Sequence, residues 1–319
     1  MEKVPLCVVG CGGMGHRHIM AYRALEDSGI GNIDLVAVCD VRRENAEFGA
    51  REVERLFGRK PLIFTDLDEV LARSDILAVD VVTDGSMHHQ VAVPVLEAGK
   101  HALVEKPLAI TMRACQAMID AAQRGNAVLA TAENYRRDPA NRLVRAILDA
   151  GLLGDPFLMV QSSAGGSDVM TITPWRHLKE KGAIYAPGER NGKPVVLRLE
   201  GRELQGREIL SLLPDFHLDE ITERLFGADG VEYEMPTNVP HPGFAIDGKH
   251  LAIEYHDFAQ AILQGGEPEL DGLGGMKAVA AIVGAYESAA VGRAVTMEEM
   301  LRGEVRAYQE EIDAVLGLE

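Results

Sequence analysis

The feature that most constrains this fold is an apolar strand that leads directly into a glycine-rich turn. Residues 6–9 are typical of a buried strand, and residues 10–15 follow with the pattern G-x-G-x-x-G. A second apolar segment ends at Asp40, where an acidic side chain is suited to a ribose diol. Small residues allow the backbone to approach a pyrophosphate at the start of the next helix. The pairing therefore predicts a dinucleotide site at Gly10, Gly12, Gly13, Met14 and Gly15.

The chain up to about residue 125 alternates apolar strands with amphipathic helices. This rhythm predicts a parallel sheet covered on both faces. Ser86 is expected to cap a helix over residues 86–98, and Gly99 and Gly125 are expected to end helices. The predicted strands are 6–9, 34–39, 62–64, 76–82, 101–104 and 127–131, and the predicted helices are 14–25, 43–57, 66–73, 86–98 and 111–124.

Beyond residue 125 the pattern becomes mixed and predicts a second domain of the α+β class. We expect domains over 1–125 and 126–319, the first a dinucleotide-binding domain and the second for substrate binding and oligomerisation. The predicted elements of the second part are strands at 156–163 and 195–199 and helices at 138–150, 215–226, 250–263 and 274–291.

Composition narrows the possible partners and the compartment. The chain has 319 residues, 47% of them hydrophobic, which is enough for two cores. A formal net charge of −17 argues against binding to nucleic acid or to anionic membranes. The absence of a signal peptide or an apolar span predicts a cytoplasmic protein. The four cysteines lack metal-ligand spacing and are predicted to be free thiols.

The second motif is Glu105-Lys106-Pro107, at the end of a predicted strand. Ligands of open α/β sheets lie just outside the carboxyl ends of the strands. A lysine there can contact a substrate hydroxyl beside a nicotinamide and exchange its proton, while Glu105 orients it. Pro107 stiffens the turn, with a cis peptide bond as one option. A surface turn that simply ends the strand is the alternative.

Together these motifs resemble the Gfo/Idh/MocA family of NAD(P)-dependent sugar and cyclitol dehydrogenases. The resemblance rests on the glycine turn, Asp40, residues 97–101 and 105–107, and on segments 134–139, 154–156, 175–176, 257–272 and 287–288. It implies an α/β fold with an N-terminal Rossmann doubly wound parallel sheet and a C-terminal domain with an open sheet. It also implies that Lys106 is the catalytic lysine.

The same resemblance implies further residues of the cleft. Thr83 lies where the chain passes the nicotinamide ribose, with Asp84 in place of the usual proline. Asn134 and Arg136 line the cleft near the nicotinamide. The substrate pocket is expected to include Lys106, Tyr135 and Arg136, together with Trp175 and Arg176, which also face the cofactor.

Two choices of ligand are weighed at the residue level. The pairs His88–His89 and His16–His18 lack the spacing of metal ligands on one helical face, so no metal is predicted and His88 is expected to pack near the cofactor. Asp40 favours NAD, because a 2′-phosphate would meet its carboxylate. Arg42 follows closely and keeps NADP as an alternative.

One element of the family is missing from its usual place. The Asp-x-Gly-x-His segment is not found after Trp175-Arg176, and the abrupt join near Gly182 indicates a shortened sheet. His217 is the first candidate to replace the family histidine as acid/base, and His177 is the second. A lone histidine more often has a structural role.

The sequence therefore predicts an NAD(P)-dependent oxidoreductase. It would transfer a hydride between the nicotinamide and a hydroxyl-bearing ring carbon of a sugar, sugar derivative or cyclitol. Two alternatives are a catalytically impaired regulator that binds NAD(P), and a glycosidase that uses transient oxidation. A homodimer or homotetramer is expected from the resemblance.

Overall fold

The computed structural model describes residues 2–155, 196–199, 202–227 and 242–318. Its N-terminal part is a six-stranded sheet in the order β3-β2-β1-β4-β5-β6, in which all neighbouring strands are parallel. The strands are β1 (Val4–Val9), β2 (Ile33–Cys39), β3 (Leu62–Phe64), β4 (Ala78–Val81), β5 (His101–Glu105) and β6 (Leu129–Ala132). This order confirms the doubly wound Rossmann sheet and places its switch point between β1 and β4.

The helices that connect these strands follow the predicted alternation. They are α1 (Gly13–Asp27), α2 (Arg43–Phe57), α3 (Leu67–Leu71), α4 (His88–Glu97) and α5 (Met112–Gly125). A 3₁₀ helix (Asn134–Arg137) and α6 (Pro139–Asp149) follow β6. The predicted domain boundary at residue 125 precedes β6, which pairs with β5. The division into two domains stays a prediction.

The later elements include a small antiparallel pair and helices that return to the Rossmann sheet. The pair consists of β7 (Val196–Leu199) and β8 (Arg202–Gln205). The helices are α7 (Arg207–Leu210), α8 (Glu220–Phe226), α9 (Pro242–Gln264), α10 (Gly272–Val291), α11 (Met297–Leu301) and α12 (Glu310–Leu316). The predicted strand at 156–163 lies outside the described residues.

Successive side chains along each strand point to opposite faces, and each face has its own apolar core. Leu6 and Val8 of β1 belong to the face covered by α1, α2 and α9. Cys7 and Val9 belong to the face covered by α4, α5 and α10. Helices from the C-terminal part thus complete both layers, which brings α9 against α1 and its glycine turn.

Two local predictions of a helix start are wrong, each for an identifiable reason. Helix α4 begins at His88 rather than near Ser86, whose backbone N–H and hydroxyl both donate to Asp84 Oδ1. Helix α8 begins at Glu220, because Asp219 rather than Asp215 caps it by accepting from the Thr222 N–H at 2.9 Å. The prediction that a helix ends at Gly125 is confirmed, and Asn126 (φ 50°) takes the left-handed position directly after it.

Gly125 is nevertheless required for packing. A Cβ at this position would lie 1.8 Å from the carbonyl oxygen of Leu96, so only glycine lets α5 approach the end of α4 this closely.

Candidate active site

The glycine turn lies at the switch point and is closely packed at both ends. Gly10 has φ +100°, and a Cβ there would lie 2.5 Å from the Val82 carbonyl oxygen, just after β4. A Cβ on Gly15 would lie 1.9 Å from the Gly10 carbonyl oxygen. Cβ atoms on Gly12 and Gly13 would meet nothing within 4 Å, so the backbone there is open to a ligand at the N-terminus of α1.

The Asp40 carboxylate lies at the tip of β2 and faces this turn. Oδ2 accepts from the Cys11 N–H at 2.9 Å and from Asn45 Nδ2 at 3.2 Å, and Oδ1 accepts from the Arg42 N–H at 2.8 Å. These bonds fix the carboxylate beside the turn, as a ribose-binding acid requires. The Arg42 residue itself is exposed.

The four cysteines are free and buried, as predicted. Two of them lie in this region, Cys11 within the glycine turn and Cys39 at the end of β2. Burial raises the pKa of both thiols to about 12, and the nearby Asp40 adds to the shift. They are therefore neutral packing groups rather than reactive thiolates.

Lys106 is the first residue after β5, on the carboxyl edge of the sheet. The Glu105 carboxylate accepts from the Lys106 backbone N–H at 2.7 Å, and its Oε1 lies 3.9 Å from Lys106 Nζ. Glu105 is buried, whereas the Lys106 side chain is 31% exposed. The following peptide bond to Pro107 is cis. A buried carboxylate thus holds a partly accessible ammonium group at the cleft.

Glu133 is a neighbour of this pair that the sequence analysis missed. It follows β6 as Lys106 follows β5, so the two strand ends bring them to one edge. Burial raises the pKa of Glu133, the Lys106 ammonium opposes the shift, and Glu105 adds to it. An acid directly after the neighbouring apolar strand was the available signal.

His88 connects the cis turn with the loop after β4. Its Nδ1 lies 3.0 Å from the Pro107 carbonyl oxygen, and its Nε2 lies 3.2 Å from that of Thr83. Burial lowers the pKa of His88, although the Glu105 charge and the surrounding carbonyl oxygens oppose this shift. The side chain of Asp84, where the family has proline, accepts two hydrogen bonds from Ser86 and so shapes this loop.

The 3₁₀ helix after β6 brings Asn134, Tyr135 and Arg136 to the same edge. Asn134 is buried, and its Nδ2 donates a hydrogen bond to Asp247 of α9. Asn134 Oδ1 and Thr83 Oγ1 are buried and have no hydrogen-bond partner among the described residues. The Arg136 guanidinium is exposed and pairs with Glu269 at 3.1 Å.

The two candidate acid/base histidines are not equally described. His217 is exposed in the coil before α8, not in the predicted helix. His177 lies outside the described residues, as do Trp175 and Arg176. The catalytic roles of His217 and His177 stay predictions.

A different Asp/His pair, Asp247 and His250, lies on α9. The sequence Asp247-Gly248-Lys249-His250 contains this pair, but it lies far from the region after Arg176 where the family's Asp-x-Gly-x-His segment is expected. His250 is fully buried, with its ring stacked on Phe226 at 5.2 Å and Nε2 3.7 Å from Asp138 Oδ2. Burial lowers the pKa of His250, and the negative charge of Asp138 only partly offsets this shift. It packs beneath the cleft.

A buried polar cluster under the cleft was also missed. Asp80 of β4 is fully buried, and its Oδ2 accepts from His18 Nδ1 and from the Tyr22 hydroxyl, both at 2.9 Å. The Tyr22 ring stacks on Tyr255 of α9 at 4.1 Å. His18 and Tyr22 are four residues apart on one helix, which was the available signal.

Neither a metal cluster nor a membrane helix is found in the part of the chain that is described. Within these ranges no three His, Cys, Asp or Glu side chains are grouped to hold a metal ion. None of the described helices has the length and apolar character needed to cross a membrane.

Sheet order, glycine turn and Asp40 are the features of a dinucleotide-binding Rossmann domain. Residues 5–133 match the family described as "Oxidoreductase family, NAD-binding Rossmann fold". Over these residues, about two fifths of the chain, the protein is similar to the Gfo/Idh/MocA oxidoreductase family, in agreement with the resemblance found in the sequence.

The chain is similar to curated relatives over about half of its length. Levoglucosan dehydrogenase of Pseudarthrobacter phenanthrenivorans is 34% identical over 154 residues, which is 48% of this chain and 39% of that protein. Alpha-N-acetylgalactosaminidase of Shewanella oneidensis is 30% identical over 159 residues, 49% of this chain and 34% of that protein. The matched part thus spans less than half the length of either relative.

A solved structure extends the likeness of the fold along most of the chain. An oxidoreductase from Agrobacterium radiobacter, determined with NAD+, L-tartaric acid and magnesium, superposes with a TM-score of 0.68 at 16% identity. The likeness covers 94% of this chain and 100% of that chain. It confirms a Rossmann sheet followed by a C-terminal part of the same general fold.

Proposed function

We propose that this protein is an NAD-dependent dehydrogenase that transfers a hydride between the nicotinamide and a hydroxyl-bearing ring carbon of a sugar, sugar derivative or cyclitol. The observation that carries the proposal is Lys106, a partly exposed ammonium group at the carboxyl edge of a Rossmann sheet, beside the buried Glu105. Oxidation of a secondary alcohol releases a hydride and a proton, and the lysine is suited to the proton.

The chain offers a fitting cradle for the dinucleotide. The open backbone at Gly12 and Gly13 would receive the pyrophosphate, and Asp40 would accept from the adenosine ribose hydroxyls. The buried oxygens of Thr83 and Asn134 are acceptors suited to the nicotinamide end. Bound NAD supplies the hydride acceptor.

Three ionisable groups near the reacting hydroxyl, Lys106, Glu105 and Glu133, would take part in transferring its proton. The Lys106 ammonium group would donate a hydrogen bond to the hydroxyl oxygen and release a proton toward Glu133 as it takes up the hydroxyl proton. Glu105 accepts from the lysine backbone N–H and attracts the ammonium group. Glu133, whose pKa is raised by burial, is suited to relay that proton. Tyr135 and Arg136 would line the substrate side.

The substrate class is supported by the relatives. Levoglucosan dehydrogenase is named for an anhydrosugar, and it is 34% identical to this chain over 154 residues. A second candidate function is favoured by the match to an alpha-N-acetylgalactosaminidase, namely cleavage of a glycoside without net change of NAD. We further propose a cytoplasmic homodimer or homotetramer, which rests on the family resemblance; light scattering after size exclusion tests the assembly.

Reduction of NAD+ by the purified protein, followed by absorbance against a panel of sugars, anhydrosugars and cyclitols, tests the function. The Lys106→Met variant should lower kcat by about 10²–10⁴-fold and still bind NADH, because proton transfer is lost while the glycine turn remains. The exposed Lys60→Met is the matched control and should keep full activity.

Absence of reduction across the panel, or full activity of Lys106→Met, would contradict the proposal. Release of sugar from an aryl glycoside, without accumulation of NADH, would instead establish the second candidate.

A further inference from the structure

We propose that Asp247 is a positioning residue that fixes the amide of Asn134, so that Asn134 Oδ1 accepts a hydrogen bond from the carboxamide N–H of the nicotinamide. The proposal rests on the proposed function and deepens it by naming a contact that selects the cofactor ring. The group recognised is a hydrogen-bond donor, and the nicotinamide carboxamide is the source to which we commit.

Asp247 lies on α9 and joins two elements of the cleft. Its Oδ1 accepts from Asn134 Nδ2, on the 3₁₀ helix after β6. Its Oδ2 lies 3.4 Å from the guanidinium of Arg17 on α1. Arg17 NH1 in turn lies 3.6 Å from the sulfur of Met14 in the glycine turn. The Asp247 side chain is only 16% exposed, so these contacts are well shielded from water.

The chemistry of a carboxylate decides which way the amide faces. A carboxylate paired with a guanidinium can only accept, so Asn134 must turn its NH₂ group toward Asp247. Asn134 Oδ1 is then fixed as the outward acceptor. It is buried, within a residue only 5% exposed, and has no hydrogen-bond partner among the described residues. A buried acceptor of this kind favours a ligand that donates.

The position of Asn134 favours the nicotinamide end of the cleft. Asn134 lies two residues after Ala132, which pairs with Glu105 in the register of β5 and β6, so it comes to the same carboxyl edge of the sheet as Lys106. The carboxamide offers two N–H donors on a planar group, whereas a ring hydroxyl of the substrate offers one. The experiment separates these two sources.

Binding of NAD+ and of two analogues, measured by displacement of NADH fluorescence, tests the proposal without turnover. The 3-acetylpyridine and nicotinic acid analogues keep the carbonyl and lose the N–H donors. The wild-type chain should bind NAD+ about tenfold more tightly than the acetyl analogue. Asp247→Asn frees the amide to turn over, so the preference should fall to about twofold or less.

Asn134→Ala should lose the preference for NAD+ over the acetyl analogue to the same extent. The double variant with Asp247→Asn should show no further loss, because both residues act through one contact. Asp257→Asn is the matched control on the same helix. Its carboxylate binds Arg137 and the Glu269 N–H, so its loss should lower the melting temperature and leave the preference intact.

An unchanged preference in Asp247→Asn, with normal NAD+ binding, would overturn this inference alone. The same holds if wild type shows no preference while Asp247→Asn raises only the KM for substrate, since the donor would then be a substrate hydroxyl. Failure of the wild-type chain to bind any of these dinucleotides would overturn the proposed function as well.

Discussion

Asp80 is a single charged residue within an apolar strand, and it organises the polar interior beneath the cleft. Both of its neighbours His18 and Tyr22 come from α1, the helix that begins at the glycine turn. Burial, the largest effect, lowers the pKa of His18, but the charge and hydrogen bond of Asp80 outweigh it and the net shift is upward. The folded state thus favours the protonated imidazole beside Asp80.

Replacing His18 should cost far more than removing the Tyr22 hydroxyl. His18→Leu leaves Asp80 buried without its cation and should lower the free energy of unfolding by about 3–5 kcal/mol. Tyr22→Phe should cost about 0.5–1.5 kcal/mol. The contribution of His18 is complete below its unfolded pKa of 6.5 and is lost as pH rises through the higher folded pKa.

Urea unfolding at about pH 6 and about pH 9 measures both effects. Equal losses for the two variants, or a His18→Leu loss that does not shrink at the higher pH, would contradict this interpretation.

Glu254 on α9 should destabilise the protein at neutral pH. It is 1% exposed, and neither carboxyl oxygen has a hydrogen-bond partner among the described residues. Burial raises its pKa well above the ordinary value of 4.5, which Arg137 only partly opposes. The folded state therefore favours the neutral acid, and stability falls as pH rises above the unfolded pKa.

Glu254→Gln should consequently raise the melting temperature at about pH 8 and have little effect near pH 4.5. The gain in the free energy of unfolding at the higher pH should be about 1.4 kcal/mol for each unit of pKa shift removed. The control is Glu287→Gln, also fully buried. Glu287 accepts from the N–H groups of Tyr308 and Gln309, so its amide should be destabilising. A gain for Glu254→Gln that is independent of pH would argue against the titration.

At the scale of elements, the turn from β1 into α1 separates folding from ligand binding. Gly12→Ala adds a methyl group in open space, so the melting temperature should stay within about 2 °C, while NADH affinity falls about tenfold or more because the pyrophosphate loses its close approach. Gly15→Ala would place a methyl group 1.9 Å from the Gly10 carbonyl oxygen and should destabilise the fold itself.

Thermal unfolding and NADH fluorescence titration distinguish the two glycine variants. Gly266→Ala, also in open space, should change neither quantity. If Gly12→Ala binds NADH as the wild type does, the phosphate assignment of this turn is wrong.

Elements with a strong local signal were predictable from the sequence. Helix α2 and strand β3 have the predicted bounds, because apolar periodicity and adjacent turn residues determine them locally. Helix starts were less predictable where two caps compete, as at Asp215 and Asp219. The second residue decides the start because its carboxylate reaches the Thr222 N–H.

The candidate site was predictable only where its residues follow a strand. Gly10, Asp40 and Lys106 each come directly after an apolar segment, so the sheet itself brings them to one edge. Asp247 and Glu254 reach that edge on a helix more than a hundred residues away in sequence. Nothing local to α9 indicates that it returns to α1, because that contact depends on the packing of the whole molecule.

At the scale of the whole molecule, the net charge of −17 should make stability depend on salt. Acidic side chains repel one another in the compact state, and salt screens that repulsion. The melting temperature should rise by a few degrees as NaCl increases from about 10 mM to about 300 mM, where the Debye length is far shorter.

Matched experiments in KCl control for specific ions. A melting temperature that falls with salt would show that ion pairs such as those of Arg137 with Asp257 and Glu269 outweigh the general repulsion.

The position of helix α9 limits which segments can be exchanged in chimeras of this protein with its relatives. It covers one face of the nucleotide-binding sheet, and α10 covers the other, although both follow residue 240 in sequence. In a chimera that exchanges only the first 133 residues, both faces of the sheet would therefore pack against helices from the other protein. Exchanges that include residues 242–291 together with the first 133 would keep the sheet of each parent protein with its own packing helices.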